Sequence, residues 1–428
     1  MCQRLHTQSI WSMLLLCFIQ ALLIRADSTP HRLGRVLLGG KFSLTENIEN
    51  LALFDMDLNS TYPFYRVSGP NGRVYVIKYE PRCDFMVIGG SFSEVDGVRT
   101  GPLAFIPDVS KTDNHTWLGI SGWDRNLKYG NWSEGAIVMS IVFAYKDVLN
   151  RCRPKLVVAG KFTKIAGIDN VNNIAILNTV DMTWDFLPSG GVNGIVGEYV
   201  KSAAYLGDVL YAGGFFKGYL KRYNVNTWQT VLQGQLDGPV SYILSQSSLV
   251  HPSNLIIGGH FNNPHKYLLK ISANNINLSP QIKKTFNFQE GRNETSGIKK
   301  MFLMQDNLHL FGYFTVVLDA DNSVHSSNHV VFNMEYGRLL SNNSTLLENI
   351  PQCGAPCLSP FLTCQKGSSV LVTREIEKMD GQDVTAAKYL TLVVDGGATE
   401  KSFRMELSDE DGDFDLVNSI MFMPSRKP

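Results

Sequence analysis

One short pattern recurs along the whole chain: an apolar strand that closes on two small residues, then one variable residue, then phenylalanine. It stands at Val36-Leu-Leu-Gly-Gly-Lys-Phe42, Met86-Val-Ile-Gly-Gly-Ser-Phe92, Leu156-Val-Val-Ala-Gly-Lys-Phe162, Leu210-Tyr-Ala-Gly-Gly-Phe-Phe216 and Leu255-Ile-Ile-Gly-Gly-His-Phe261, with a degenerate copy at Leu308-His-Leu-Phe-Gly-Tyr-Phe314. The phenylalanines are spaced by 45 to 70 residues. A fixed period of that size marks a repeat architecture in which each unit buries its faces against its neighbours. A seventh copy, Val370-Leu-Val-Thr-Arg-Glu-Ile376, lacks the glycines but keeps the downstream turn: Val95-Asp-Gly97, Ile165-Ala-Gly167 and Met379-Asp-Gly381 share one offset.

Other elements repeat around the pattern. Apolar-Ala-apolar cores lie downstream at Leu51-Ala-Leu53, Leu103-Ala-Phe105 and Ile174-Ala-Ile176, then Thr-Trp pairs at Thr116-Trp117, Thr183-Trp184 and Thr227-Trp228. Upstream lie β-type runs such as Val74 to Tyr79, Ile137 to Phe143 and Val240 to Leu244. Four strands per unit make the blade of a propeller. The small pair is expected where a strand is crowded near the axis, with glycine permitting the positive φ of a turn just beyond it. The Phe and Trp are expected to fill the wedges between blades. The first unit has no strand ahead of its Gly-Gly, whereas Leu416 to Met423 is surplus after the last. The chain is therefore expected to be an all-β, seven-bladed β-propeller closed by a C-terminal strand that completes the first blade, leaving no open sheet edge. The blades fall near 34–70, 71–121, 135–190, 195–233, 237–290, 296–348 and 358–408.

The Gly-Gly-x-Phe strand, the glycine five residues on, the Asn172-Asn-Ile-Ala175 core and the Thr183-Trp-x-x-Leu187 ending resemble Kelch-type repeats of the galactose-oxidase central domain superfamily. Within these they are most similar to the extracellular repeats of the fungal Rax-type cortical polarity markers. The resemblance implies a propeller over the mature chain and a place in a cell-surface or polarity complex. The copper set of galactose oxidase, a Tyr, a His and a Cys-linked Tyr, has no counterpart among these residues.

The N-terminus indicates the compartment. Arg4 without any acid before Met13, the apolar run Leu14 to Ile24 and small Ala26 form the three parts of a signal peptide over 1–26, leaving 27–428 as one propeller domain. An apolar run of about a dozen residues is short of the roughly 20 that span a bilayer. A secreted or cell-surface-associated protein with no direct membrane span is expected. Sequons at Asn59, Asn114, Asn131, Asn277, Asn293 and Asn342 (overlapping one at Asn343) are candidate glycosylation sites. Lys and Arg total 39 against 39 Asp and Glu, without like-charge runs, so a nucleic-acid partner is not expected. Cys83 and Cys152 each precede a repeat strand in adjacent blades and are disulfide candidates; Cys353, Cys357 and Cys364 cluster before the last blade, where one pair leaves one thiol over.

Chemistry-bearing motifs are sparse. Asp409-Glu-Asp411-Gly-Asp413-Phe-Asp415 reads as a solvated acidic turn, with a structural calcium loop as the alternative; no other cofactor is expected. The histidines are scattered, and no Gly-x-Ser-x-Gly, His-Glu-x-x-His or phosphate loop occurs. The connection 121–133 carries Trp123, Arg125, Tyr129 and Trp132, the residue types that anchor interfaces, and is the first candidate for partner contact. The insertion Thr315 to Asn328 is the second. The expectation is a non-enzymatic platform for a protein or glycan at the cell surface, the alternative being an extracellular enzyme acting on carbohydrate at the channel mouth.

Overall fold

A computed structural model describes residues 35–45, 48–109, 116–119, 132–144, 154–192, 198–246, 254–272, 286–289, 296–339, 363–405 and 417–422, apart from short interruptions within these runs. The described chain is all-β with antiparallel pairing, a single 3-10 turn at Val231–Gly234 and no α-helix. No helix among the described residues is long and apolar enough to cross a membrane. Seven sheets of three to five strands form among these residues, in chain order, together with two short hairpins.

Each sheet is built round one repeat. The motif strands are Arg35–Thr45, Phe85–Gly90, Lys155–Lys161, Val209–Phe215, Asn254–Gly259, Asn307–Leu318 and Ser369–Met379. Each is paired on one side with a leading strand: Val417–Phe422, Val74–Glu80, Ile137–Ala144, Tyr199–Leu206, Val240–Gln246, Gly297–Met304 and Thr363–Lys366 respectively. The C-terminal strand pairs with the first motif strand, Val36 opposite Phe422 and Gly39 opposite Ser419. Leading strands lie against one another from the first sheet through the sixth, and that of the seventh lies against that of the first.

The sheets stack face to face, which explains why the motif strands are apolar throughout instead of alternating. Phe85–Gly90 and Asn254–Gly259 are buried at every position because both faces are covered. Val157 and Ala159 meet Val200, Leu210 and Phe216 of the fourth sheet, while Leu156 and Val158 meet Val76, Val87 and Phe105 of the second. The repeat phenylalanines Phe42, Phe92, Phe162, Phe216, Phe261 and Phe314 are all buried, and the last five pack back on the preceding sheet. Truncating a core Phe of this kind typically costs about 3–5 kcal/mol.

The two glycines have separate tasks. A Cβ on the first would strike the next sheet's leading strand: at Gly39 it would sit 2.7 Å from Val74 Cγ1, at Gly213 2.5 Å from Val240 Cγ1, and at Gly258 2.7 Å from Ile298 Cγ2. A Cβ on the second would strike the backbone of its own sheet's leading strand, at Gly90, Gly160, Gly214 and Gly259 alike. None of the pairs at 39–40, 89–90, 213–214 and 258–259 takes a positive φ, so the turn argument for them is corrected. Left-handed residues stand instead just before the third strand at Asn173 (φ 67°), Tyr219 (φ 53°) and Tyr267 (φ 63°), and inside the start of that strand in the first sheet, Ile48–Asp55, at Asn50 (φ 59°). There Asn50 Oδ1 accepts from the Phe42 N–H at 3.1 Å, and Asn173 Oδ1 accepts from the Phe162 N–H at 3.1 Å. The chain between motif strand and third strand is thus tied to the repeat phenylalanine. In the second repeat, outside its main sheet, Asp96 and Gly97 (φ 55° and 74°) form the two-residue turn of a small hairpin, Glu94–Val95 against Val98–Arg99.

The insertion expected over 315–328 is no open loop where the chain is described. Asn307–Leu318 and Val324–Asn333 continue as one long antiparallel hairpin, and Phe286–Gln289 adds along its edge from Phe286 opposite Leu318 to Gln289 opposite Thr315.

Candidate functional site

The second glycine determines where functional side chains emerge. Its contact with the leading strand occurs where that strand carries one extra residue, shown by register shifts between Val74 and Val76, Val200 and Ser202, Val240 and Tyr242, and Ile298 and Lys300. The same shift opposite Ala159/Gly160 and Gly39/Gly40 leaves Met139 and Asn418 unmatched. A bulge re-aims the side chain of its extra residue. Six leading strands place Asn418, Tyr75, Met139, Lys201, Ser241 and Lys299 at the same register position, at the end where each strand is entered.

Two of these ends converge. Lys201 Nζ, from the fourth sheet, lies 5.6 Å from the ring centroid of Tyr75, in the second, and Arg73 Cζ lies 5.7 Å from the same centroid. The intervening third sheet is spanned by this contact, so the bulge residues of the second and fourth sheets face a shared space. Cation–π attraction of this kind is worth about 0.5–1 kcal/mol at exposed sites, enough to bias two long side chains toward one place. Beside Lys201, Tyr199 and Phe215 stack with centroids 5.9 Å apart and planes at 23°, and Phe215 remains 48% exposed. Glu198, next in sequence to Tyr199, acts electrostatically on Lys221, opposing the fall that burial gives the Lys221 pKa.

The edges of the leading strands are stitched together below this group. The Ala203 N–H donates to Ser140 Oγ at 3.2 Å, and the Ile243 N–H donates to Ser202 Oγ at 3.0 Å. At the fifth and sixth sheets, burial pulls the His260 pKa down to about 4, the Lys299 charge pulls the same way and a backbone hydrogen bond with Ser296 opposes both. The imidazole is neutral near pH 7. Chemically, this end offers cations, flat aromatic surface and a neutral imidazole. Among the described residues no group of three or more His, Cys, Asp or Glu is placed to hold a metal ion.

Of the residues singled out from sequence, Trp132 is half-buried and belongs to the packing between the second and third sheets. Its ring stands edge-on to Phe162 (5.4 Å) and Trp184 (5.9 Å), and a Cβ on Gly101 would lie 2.7 Å from its Cδ1. Cys83 is half-buried against the same cluster. Trp123, Arg125, Tyr129, Asp409, Asp411, Asp413, Asp415, Cys152, Cys353, Cys357 and the sequons at Asn59, Asn114, Asn131, Asn277, Asn293 and Asn342 lie outside the described residues, as does the side chain of Cys364. The converging group was not recognised from sequence, although a signal exists. Val74-x-x-Ile77, Val138-x-x-Ile141, Val200-x-x-Ala203, Val240-x-x-Ile243, Ile298-x-x-Met301 and Val417-x-x-Ile420 place apolar residues three apart inside strands, where a regular strand repeats every two. That spacing is the mark of the bulge.

No family model and no curated protein matches the sequence. Among solved structures, the chain is similar to Kluyveromyces lactis Hsv2 (11% identity, 84% of this chain and 92% of that chain, TM-score 0.36). It is similar also to the Pseudomonas aeruginosa periplasmic gluconolactonase PpgL (11% identity, 87% and 99% covered, TM-score 0.34). A third is a Bacteroides fragilis protein named provisionally as a 6-phosphogluconolactonase (10% identity, 93% and 100% covered, TM-score 0.33). Two of these three carry the names of enzymes, so the expectation that the chain is not an enzyme is corrected and dropped. The narrower resemblance to Kelch-type repeats rests on the sequence motifs alone.

Proposed function

We propose that the protein is a secreted, seven-bladed Kelch-like propeller over residues 27–428, preceded by a signal peptide over 1–26, and that it binds a protein or glycan partner at the end where its leading strands are entered. Ring closure by the strand Val417–Phe422 would hold that end rigid, since every sheet is then flanked by two others. One observation supports the site above all: Arg73, Tyr75 and Lys201 come together from two sheets that are not neighbours. Binding groups on stiff strands lose little freedom when a ligand arrives. The connection bearing Trp123, Arg125 and Tyr129, which precedes the strand Ile137–Ala144 in sequence, is proposed as a second contact area. Arginine and aromatic residues are the types that dominate recognition surfaces.

The test is affinity capture by the full-length glycosylated chain from the cells that make it, run in parallel with an Arg73→Gln/Lys201→Gln variant and with a glycan panel. A protein or glycan retained by the wild type and lost by the variant is the expected result. Equal retention by the variant would remove the contact from this end of the molecule.

A further inference from the structure

Independently of the proposed binding role, we infer that Asn71 modifies itself, losing its amide nitrogen as ammonia and becoming a carboxylate. The chain reads Asn71-Gly72 in the connection that enters the leading strand Val74–Glu80. In such a dipeptide the main-chain nitrogen of glycine can attack the side-chain carbonyl carbon of asparagine and close a cyclic imide, because no glycine side chain blocks the approach. The fold itself demands the glycine: a Cβ on Gly72 would lie 2.8 Å from Ser91 O and 3.1 Å from Phe92 Cα. The carbonyl under attack is held where charge would develop. Asn71 Oδ1 accepts from the Ser93 N–H at 2.8 Å and from the Glu94 N–H at 3.1 Å. Two main-chain donors on one oxygen are the arrangement that stabilises the oxyanion of acyl transfer. The departing nitrogen is placed as well: Asn71 Nδ2 donates to Ser93 Oγ at 2.9 Å, and a hydroxyl can donate as well as accept. In the reaction the Gly72 nitrogen gives its proton to solvent and bonds to Asn71 Cγ, while Oδ1 takes the charge. The Cγ–Nδ2 bond then breaks, and ammonia leaves with a proton from the Ser93 hydroxyl, which solvent restores. Water opens the imide to aspartate or isoaspartate.

The fifth sheet already carries the product group in the same place. Asp237-Gly238 precedes Val240 as Asn71-Gly72 precedes Val74, and a Cβ on Gly238 would lie 2.0 Å from His260 O. Asp237 Oδ1 accepts from the N–H groups of Asn262 and Asn263 at 2.7 and 3.1 Å. These are the first two residues past Phe261, as Ser93 and Glu94 are past Phe92. Burial alone would raise the Asp237 pKa, yet the N–H groups of Asn263 and Asn262 and the Asn263 amide hold it below its ordinary value. A cradle of this build therefore stabilises negative charge on the oxygen it holds. Hydrogen bonds to an oxygen strengthen as it gains charge, so at Asn71 they favour the attacked carbonyl over the resting amide. A side chain locked out of reach of the Gly72 nitrogen would instead react more slowly than a free one.

The experiment incubates the full-length glycosylated chain near neutral pH and follows the peptide containing Asn71 by mass spectrometry, reading the mass gain that marks an amide turned to an acid. The reference is the same chain in guanidinium chloride above its unfolding transition. There Asn193-Gly194, the second such dipeptide in the chain, should react at the rate of Asn71 and so certifies that the reference is unfolded. Asn71 should convert at least about tenfold faster in the folded chain, a small part of what an oxyanion cradle supplies to an enzyme. Ser93→Ala should slow the folded rate by at least about tenfold through loss of the proton donor, with the unfolded rate unchanged. Ser93 is exposed, so the unfolding midpoint of that variant should stay in place. Asn71→Asp should also keep the wild-type midpoint, because the cradle accepts a carboxylate. Equal or slower conversion in the folded chain would overturn the inference and make the same hydrogen bonds a lock on the amide. A folded rate indifferent to Ser93→Ala would overturn the role given to the hydroxyl. None of these rates depends on a bound partner, so the binding role and this reaction stand or fall separately.

Discussion

Replacing Gly213 by alanine tests whether the first glycine of the repeat sets the distance between sheets. The added methyl would lie 2.5 Å from Val240 Cγ1, 2.9 Å from Val240 Cβ and 3.0 Å from Ile243 Cδ1. Carbon atoms rest about 3.5–4.0 Å apart, so the fifth sheet would have to retreat by up to about 1 Å, and Val240 Cβ moves only with its backbone. Overpacking of this kind costs about 1–3 kcal/mol. The molecule already contains the compensated version: at the third sheet Ala159 stands in the glycine position, and the residue in the place of Ile243 is Ala203, with Val200 in the place of Val240. Ile243→Ala alone should cost about 2–5 kcal/mol, since Ile243 is 4% exposed. If the two positions exchange volume, Gly213→Ala/Ile243→Ala should be more stable than the sum of the single losses by at least about 1 kcal/mol. Relief would be partial, because Val240 keeps its methyls. Urea unfolding of the four proteins gives the coupling from the midpoints, provided the slopes agree. Additivity within about 0.5 kcal/mol would refute the argument that this pair spaces the sheets.

Buried polar groups give two further outcomes. Burial pulls the His309 pKa from 6.5 to about 4. As pH falls below 6.5 the unfolded chain gains a proton that the folded chain refuses, so stability is full above about pH 6.5 and falls by up to about 3 kcal/mol by pH 4. His260 is shifted in the same direction. His309→Gln should flatten part of this acid limb in unfolding titrations, and an identical slope in both proteins would refute it. Asn173, 2% exposed, holds a left-handed backbone and satisfies the Phe162 N–H. Asn173→Ala should cost about 2–3 kcal/mol through the orphaned donor and the strained φ, and Asn173→Gly less because it relieves the strain; equal losses would show that strain contributes nothing.

Strands were legible because the repeat states them locally. Val74–Glu80, Ile137–Ala144 and Val240–Gln246 sit where apolar β-type runs predicted them, and Val417–Phe422 pairs with the first motif strand as the surplus at the end of the chain implied. The aromatic loop shows where such reading stops. Tryptophan near a loop serves a partner or a core equally well by composition, and Trp132 is used inside, its ring closing over Gly101 and against Phe162. The meeting of Lys201 with Tyr75 leaves no local mark at all, because it depends on how two sheets separated by a third are aimed at one space.

Fold and site are nonetheless linked through one residue of the repeat. The first glycine lets the next sheet approach, which specifies architecture. The second makes room for a bulge in its own sheet, and the bulge sends one side chain out of the β-alternation. The residue at that register position differs from sheet to sheet: asparagine, tyrosine, methionine, lysine, serine and lysine in the first six. A repeat of this design fixes the position of its outward residues while leaving their chemistry open. Under the proposed binding role, recognition is read from the second residue of each Val-x-x-Ile-type run, and not from the Gly-Gly-x-Phe pattern that marks the repeat.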